Sequence, residues 1–193
     1  YVGPGGVNWS HGATWLSIRA ADGLDPLDAN TRVSIVGGTT CGPYPCLRPH
    51  CSLMKWGNVA FDADRVAYFQ GTLDELAWFS GCLFYDTLGW SQPRPNGTVN
   101  VNGVGQGFCA TGCTGFNRER GFGGGQIVRN CRLEQISGDA FTNSRLVLDC
   151  EVERHHHIIE GNHSDIYQLF GWASDPLREN RIVFGLRAFD LVG

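Results

Sequence analysis

The feature that most constrains this chain is a recurring unit of strand, sharp corner and strand. Four copies carry cysteine just after the corner: Phe79-Ser80-Gly81-Cys82-Leu83-Phe84-Tyr85, Ala110-Thr111-Gly112-Cys113-Thr114-Gly115-Phe116, Val128-Arg129-Asn130-Cys131-Arg132-Leu133-Glu134 and Leu148-Asp149-Cys150-Glu151-Val152-Glu153. Trp56 to Phe61 and Phe184 to Phe189 read as degenerate copies, with Asn58 and Leu186 in the cysteine place. From Asn58 the steps are 24, 31, 18, 19 and 36 residues, the last long enough for two turns of chain. Self-similarity of this kind predicts a solenoid whose insertions fall on one face. Gly, Asn or Asp at the corner tolerates left-handed geometry, and the residue after it points inward onto its equivalents about 4.8 Å away. Cys82, Cys113, Cys131 and Cys150 are therefore expected to form an internal ladder of small apolar side chains.

The rest of the sequence agrees with a β-rich chain. Runs of β-branched and aromatic residues recur at 15–19, 32–36, 53–56, 65–69, 76–79, 126–129, 145–148, 166–170 and 181–184, while the helical i, i+3, i+4 pattern is nearly absent. The 27 glycines interrupt most other stretches. A length of 193 residues suffices for one domain with a continuous core. Residues 1–51 read as a less regular N-terminal part and 52–193 as regular coils, within a processed chain or a piece of a longer one.

Charge and composition exclude several classes. A formal net charge of -4, a pI near 5.8 and the lack of a basic run remove the electrostatic basis for nucleic-acid binding. No apolar run reaches the roughly 18 residues of a membrane span. Eight cysteines and the sequons at Asn8, Asn96 and Asn162 predict an oxidising, extracellular setting. Lys55 is the only lysine. An arginine-based cationic surface suits planar recognition of carboxylates or sulfates, although genome composition explains the bias equally well.

Val128 to Leu133, followed by Gly138-Asp139-Ala140-Phe141 and then Leu146 to Val152, resembles the right-handed parallel β-helix superfamily, the pectate-lyase-like fold. The resemblance covers roughly residues 50–193 and implies an all-β solenoid of about seven or eight coils, three strands to a coil. It puts Gly138 to Ser144 and His163 to Gly171 in the first-strand position, beside the groove where members of the superfamily bind or cleave long polysaccharides. The function expected on that basis is extracellular polysaccharide binding, with lyase-type cleavage as the candidate chemistry and glycoside hydrolysis second. The competing reading is a non-catalytic structural, adhesive or filament-forming module, self-associating through the open ends of the stack.

The densest polar cluster runs from Glu151 to Gln168. Equivalent positions one coil apart would put the carboxylates of Asp139 and Asp165 about 5 Å from each other. Such a pair can hold Ca²⁺ against a uronate, or share a raised pKa for acid/base work. The structural alternative is two turn aspartates bonded to backbone amides. His163 and Tyr167 are the candidate base and acid for β-elimination, and Arg145, Gln168 and Trp172 the candidate substrate-binding residues. Arg129, Arg132, Arg145 and Arg154 either clamp acidic sugars or pair with Glu134, Glu151 and Glu153. His155, His156 and His157 are expected as solvated loop residues, and no metal site is assigned to them. Cys41, Cys46 and Cys51 lie in a proline-rich loop suited to disulfide closure; their odd number brings in Cys109 as a fourth candidate, with the connectivity open.

Overall fold

The computed structural model describes residues 16–36, 54–62, 77–85, 97–100, 108–118, 120–155, 165–169 and 181–191. Their regular structure is all β. In chain order the strands are β1 (Leu16–Arg19), β2 (Ser34–Val36), β3 (Met54–Gly57), β4 (Ala60–Asp62), β5 (Ala77–Ser80), β6 (Leu83–Tyr85), β7 (Gly97–Asn100), β8 (Phe108–Thr111), β9 (Thr114–Arg118), β10 (Arg120–Gly123), β11 (Ile127–Arg129), β12 (Arg132–Ile136), β13 (Phe141–Thr142), β14 (Leu146–Leu148), β15 (Glu151–His155), β16 (Tyr167–Gln168), β17 (Ile182–Phe184) and β18 (Arg187–Phe189).

They form three sheets. The first has the order β1-β3-β5-β8-β11-β14-β17, the second β18-β15-β12-β9-β6-β4-β2, and the third β16-β13-β10-β7. Every pairing is parallel, and the chain alternates between sheets, so sheet neighbours are never consecutive strands. This arrangement is compatible with a parallel β-helix. Strands β1 and β2 join the stack in register with β3 and β4, so the sheets reach back into the N-terminal part.

The corner between the first and second sheets explains the repeat. Asn58, Gly81, Gly112, Asn130, Asp149 and Gly185 all have φ between 51° and 66°. Glycine takes this conformation freely, and Asn and Asp tolerate it through their short polar side chains. The N–H groups of five of these residues bond to the neighbouring rung, among them Asn58 to Ser80 O at 2.9 Å, Gly112 to Arg129 O at 3.0 Å and Asp149 to Phe184 O at 2.9 Å. The following residue turns inward, which buries Val59, Cys82, Cys113, Cys131 and Cys150 to 2% exposure or less. The expected cysteine column is therefore present.

Two features of the repeat differ from the sequence reading. Asn58 does not occupy the cysteine place: it is the left-handed corner itself, and Val59 holds the inward position, because only the corner needs the φ that Asn tolerates. The 36-residue step to Leu186 is one step and not two, since β14 pairs directly with β17 and β15 with β18. The extra length carries β16, which pairs with β13 in the third sheet. The strand expected at 65–69 lies outside the described residues.

Alternation along the strands sends one side of each sheet into a shared core. Phe79 and Phe108 enter from the first sheet, Phe61 and Phe84 from the second, and Phe122 and Phe141 from the third, all nearly inaccessible to solvent. Their rings meet across sheets: Phe61 and Phe79 at 6.0 Å edge to face, Phe84 and Phe122 at 6.1 Å, and Phe108 and Phe122 at 5.9 Å. These separations lie in the favourable range for aromatic pairs. Packing is closest at Gly121, where a Cβ would overlap the Ala140 carbonyl oxygen and Leu133 Cδ1.

Two glycine substitutions therefore separate the two demands on the backbone. Gly121→Ala is expected to destabilise by about 2–4 kcal/mol because backbone must move. Gly112→Ala meets no atom within 4 Å and is strained only by its φ of 63°, so it should cost about 1 kcal/mol. Urea unfolding midpoints of the two variants check this ranking.

Candidate functional site

Of the polar residues singled out for chemistry, Asp139, Asp165, Tyr167 and Gln168 lie at or just before β13 and β16, at one end of the third sheet. Phe141 pairs with Tyr167 and Thr142 with Gln168, and the Ala140 N–H bonds to Asp165 O at 2.9 Å. Counting back along both chains sets Asp139 opposite Asp165, the equivalent positions expected from sequence. Their side chains do different things. Asp139 is buried at 6% exposure, and its Oδ1 accepts the Asp165 backbone N–H at 3.2 Å. This is the geometry of a turn aspartate that fixes the start of the next strand. Asp165 is half-buried.

Tyr167 continues an aromatic column. In register with buried Phe141, and through it with Phe122, it packs half-buried against the core. Its hydroxyl donates to the Ser144 carbonyl. Burial pushes the phenol pKa up, and the nearby Arg181 partly offsets that rise. Ser144 is itself buried, and its hydroxyl donates to Phe122 O at 3.2 Å. Beside it Asn143, at φ 51°, accepts a 3.0 Å hydrogen bond on Oδ1 from Arg181 Nη1. Thr142 and Gln168 alternate with the inward Phe141 and Tyr167 and so lie on the outer face. Arg145 is exposed at the approach to β14, one residue after Ser144.

His155 corrects the expectation of a solvated loop histidine. It ends β15 at 7% exposure, with Nε2 2.6 Å from the Gly138 carbonyl oxygen. A carbonyl only accepts, so Nε2 carries the proton. His155 pairs in register with buried Ile136, which shows why it is interior: strand register carries it onto the core face. His156, His157, His163 and Trp172 lie outside the described residues, as do Cys41, Cys46 and Cys51. Cys109, the remaining disulfide candidate, is a buried free thiol whose pKa is raised by burial.

The arginines of the second sheet take the ion-pair alternative. Arg132 pairs with Glu134 at 3.3 Å and with Glu153, Arg154 with Glu134, and Arg187 with Glu151. Arg132–Glu134 lies within β12 and the other three bridge neighbouring strands, all on a solvent-facing side where each contributes little. Glu134 and Arg132 are thus already engaged by protein partners. The Asp139 and Asp165 pair has been considered for Ca²⁺; among the described residues no three of His, Cys, Asp and Glu converge in a metal-holding arrangement. One Asp139 oxygen already accepts a backbone amide, which makes the pair a poor fit for the six to eight oxygens that Ca²⁺ takes.

Sequence reasoning missed Asn143, Ser144 and Arg181. The available signal was the Thr142-Asn143-Ser144 corner, which repeats the strand–Asn–small pattern of Arg129-Asn130-Cys131. Nothing in the sequence announces the Asn143 to Arg181 contact, which spans the insertion. No protein family, curated protein or solved structure matches the chain.

Tyr167 gives a pH signature. Its pKa is raised in the folded state, so its contribution to stability is present below the unfolded value of about 10 and is lost as pH rises from there through the folded pKa. Tyr167→Phe should remove the Ser144 hydrogen bond at a cost of about 1 kcal/mol at neutral pH. It should also flatten the alkaline fall in stability. Thermal melts of both proteins between pH 8 and about pH 11 measure the two effects.

Proposed function

We propose that the chain is a right-handed parallel β-helix of the pectate-lyase-like kind, with seven coils, serving as a non-catalytic structural or adhesive module in an extracellular setting. Support for the architecture comes from seven parallel strands in each of two sheets, the third sheet interposed on the later turns, and the column of left-handed corners. The right hand follows from the near-universal handedness of parallel crossover connections. The extracellular setting rests on the sequons at Asn8, Asn96 and Asn162.

One observation carries the non-catalytic reading: two groups proposed for catalysis are engaged by the fold. The Asp139 carboxylate accepts a backbone amide in the interior, and the Tyr167 hydroxyl donates to a backbone carbonyl. To act as base or acid on a sugar, either group would have to give up this contact with the fold.

Polysaccharide binding is the second reading, favoured by the outer face of the third sheet. There Thr142 and Gln168 stand in adjacent strands, beside Asn143 and Arg181. Hydroxyl, amide and guanidinium groups of this kind are those that bind an acidic sugar chain, although the Gln168 Oε1 is buried. Lyase chemistry through Asp139, His163, Asp165 and Tyr167 is the alternative that the test addresses. Incubation with a panel of uronate-containing polysaccharides, with and without Ca²⁺, should give no absorbance from unsaturated products. An affinity-gel shift weakened by Gln168→Ala would support binding without cleavage. Unsaturated product that vanishes in both Asp139→Asn and His163→Ala would overturn the non-catalytic reading.

The exposed apolar surface of β17 and β18 is where self-association of such a module would occur. Val183 and Ala188 are in register with buried Val147 and Val152, yet Val183 is 41% exposed and Phe184 69% exposed, at the margin of the described sheets. Apolar side chains exposed at a sheet margin favour association with another strand. Sedimentation velocity should show concentration-dependent association that Val183→Lys suppresses. A monodisperse monomer at all concentrations would remove this part of the proposal.

A further inference from the structure

The cysteine column is the largest set of nucleophilic side chains among the described residues, and the proposed function leaves it unused. Cys82, Cys113, Cys131 and Cys150 are free thiols with at most 1% exposure. Each follows a left-handed corner, and backbone bonds lock neighbours into register: Thr114 N–H to Cys82 O at 2.8 Å, Arg132 N–H to Cys113 O at 2.9 Å and Glu151 N–H to Cys131 O at 2.9 Å. Adjacent strands lie about 4.8 Å apart, inside the Cα separation of about 4.4–6.8 Å that a disulfide spans. Residues two rungs apart, such as Cys82 and Cys131, lie beyond it. Each thiol donates to a backbone carbonyl on its own or the preceding rung, Cys82 to Trp56 O at 3.6 Å, Cys113 to Thr111 O at 3.6 Å, Cys131 to Arg129 O at 3.3 Å and Cys150 to Val128 O at 3.5 Å, so all four sulfurs lie in one column at the same corner.

We propose that this ladder is a site of reversible oxidation, in which a peroxide-class oxidant joins neighbouring rungs through Cys82–Cys113 and Cys131–Cys150 disulfides. That pairing uses all four thiols, whereas a central Cys113–Cys131 bond strands both ends. In the first step a thiol loses its proton and its sulfur attacks a peroxide oxygen, giving a sulfenic acid and water. The neighbouring sulfur then attacks the sulfenic sulfur; the S–S bond forms, and the hydroxyl leaves with the second thiol's proton as another water. Two electrons pass from the sulfur pair to the peroxide, and the atoms balance.

The fold sets the rate and the reversibility. Burial raises the Cys113 pKa well above that of an ordinary thiol, and the thiolate is the reactive form, so oxidation waits on transient parting of the rungs. In-register strands hold Cβ atoms about 4.8 Å apart, wider than the mean of about 3.8 Å in disulfides. The bond therefore forms under strain and is readily reduced. Cys109, set on the first sheet in register with Trp78 and Ile127, stands outside the column and serves as an internal control.

The test treats the folded protein, carrying Cys41→Ser, Cys46→Ser and Cys51→Ser, with hydrogen peroxide and maps non-reduced peptides by mass spectrometry. Expected are cross-linked peptides containing Cys82 with Cys113 and Cys131 with Cys150, loss of all four ladder thiols from alkylation carried out after unfolding in denaturant, retention of the Cys109 thiol, and full recovery with dithiothreitol. In Cys113→Ala the Cys131–Cys150 link should persist while Cys82 stays alkylatable. Should that variant not fold, Cys150→Ala gives the mirror pattern, with Cys82–Cys113 retained. Ladder thiols that, after peroxide treatment of the folded protein, still alkylate once it is unfolded in denaturant, proceed to sulfinic or sulfonic acid, or cross-link to non-neighbours would overturn the proposal.

Discussion

The structure depends on one repeated interaction, the backbone hydrogen bond from a left-handed corner residue to the carbonyl of the next rung. Asn58, Gly81, Gly112, Asn130 and Asp149 each make it, at 2.9–3.0 Å. The bond fixes where the chain leaves the first sheet and enters the second, and with it the register of both strands on either side. A shift by one residue would turn each inward side chain outward. The inward column of Val59 and the four cysteines, and the interior ladder of phenylalanines, follow from that single repeated geometry.

The same constraint governs the polar residues. Once β13 and β16 pair in register, Asp139 is drawn to the start of the next strand, where an amide needs a partner. Tyr167 falls into the aromatic column by parity and uses its hydroxyl on the Ser144 carbonyl. A second column of left-handed residues, Gln135, Arg154 and Asp190, stacks on the second sheet in matching positions. Two of the three are residue types that bear a cost of about 1–2 kcal/mol there, which cooperative stacking of the strands must outweigh.

Much of the architecture was legible because the repeat is local. Gly-Cys, Asn-Cys and Asp-Cys pairs flanked by alternating apolar residues specify a corner and an inward residue within a few positions. Even so, the position of Asn58 was misread by one, since Asn is acceptable both at a left-handed corner and as a stacked inward residue. The 36-residue step was unreadable for a different reason: insertion length carries no information about which strand the chain rejoins. At the site, the opposition of Asp139 and Asp165 was readable from equivalent spacing. The fate of their side chains was not, because it depends on an amide that becomes a neighbour only after the rungs stack. His155 was missed likewise, its burial being decided by pairing with Ile136.

The sequence by itself determined a parallel stack of short strands, its corner residues and its cysteine column, because those rest on conformational preferences of single residues and on alternation of period two. Only the tertiary structure decided which polar groups remain available and which are consumed. Hydrogen-bond satisfaction is a property of neighbours brought together across 20 or more residues: Asp139 meets Asp165, Tyr167 meets Ser144 and Arg181 meets Asn143 only when separate rungs align.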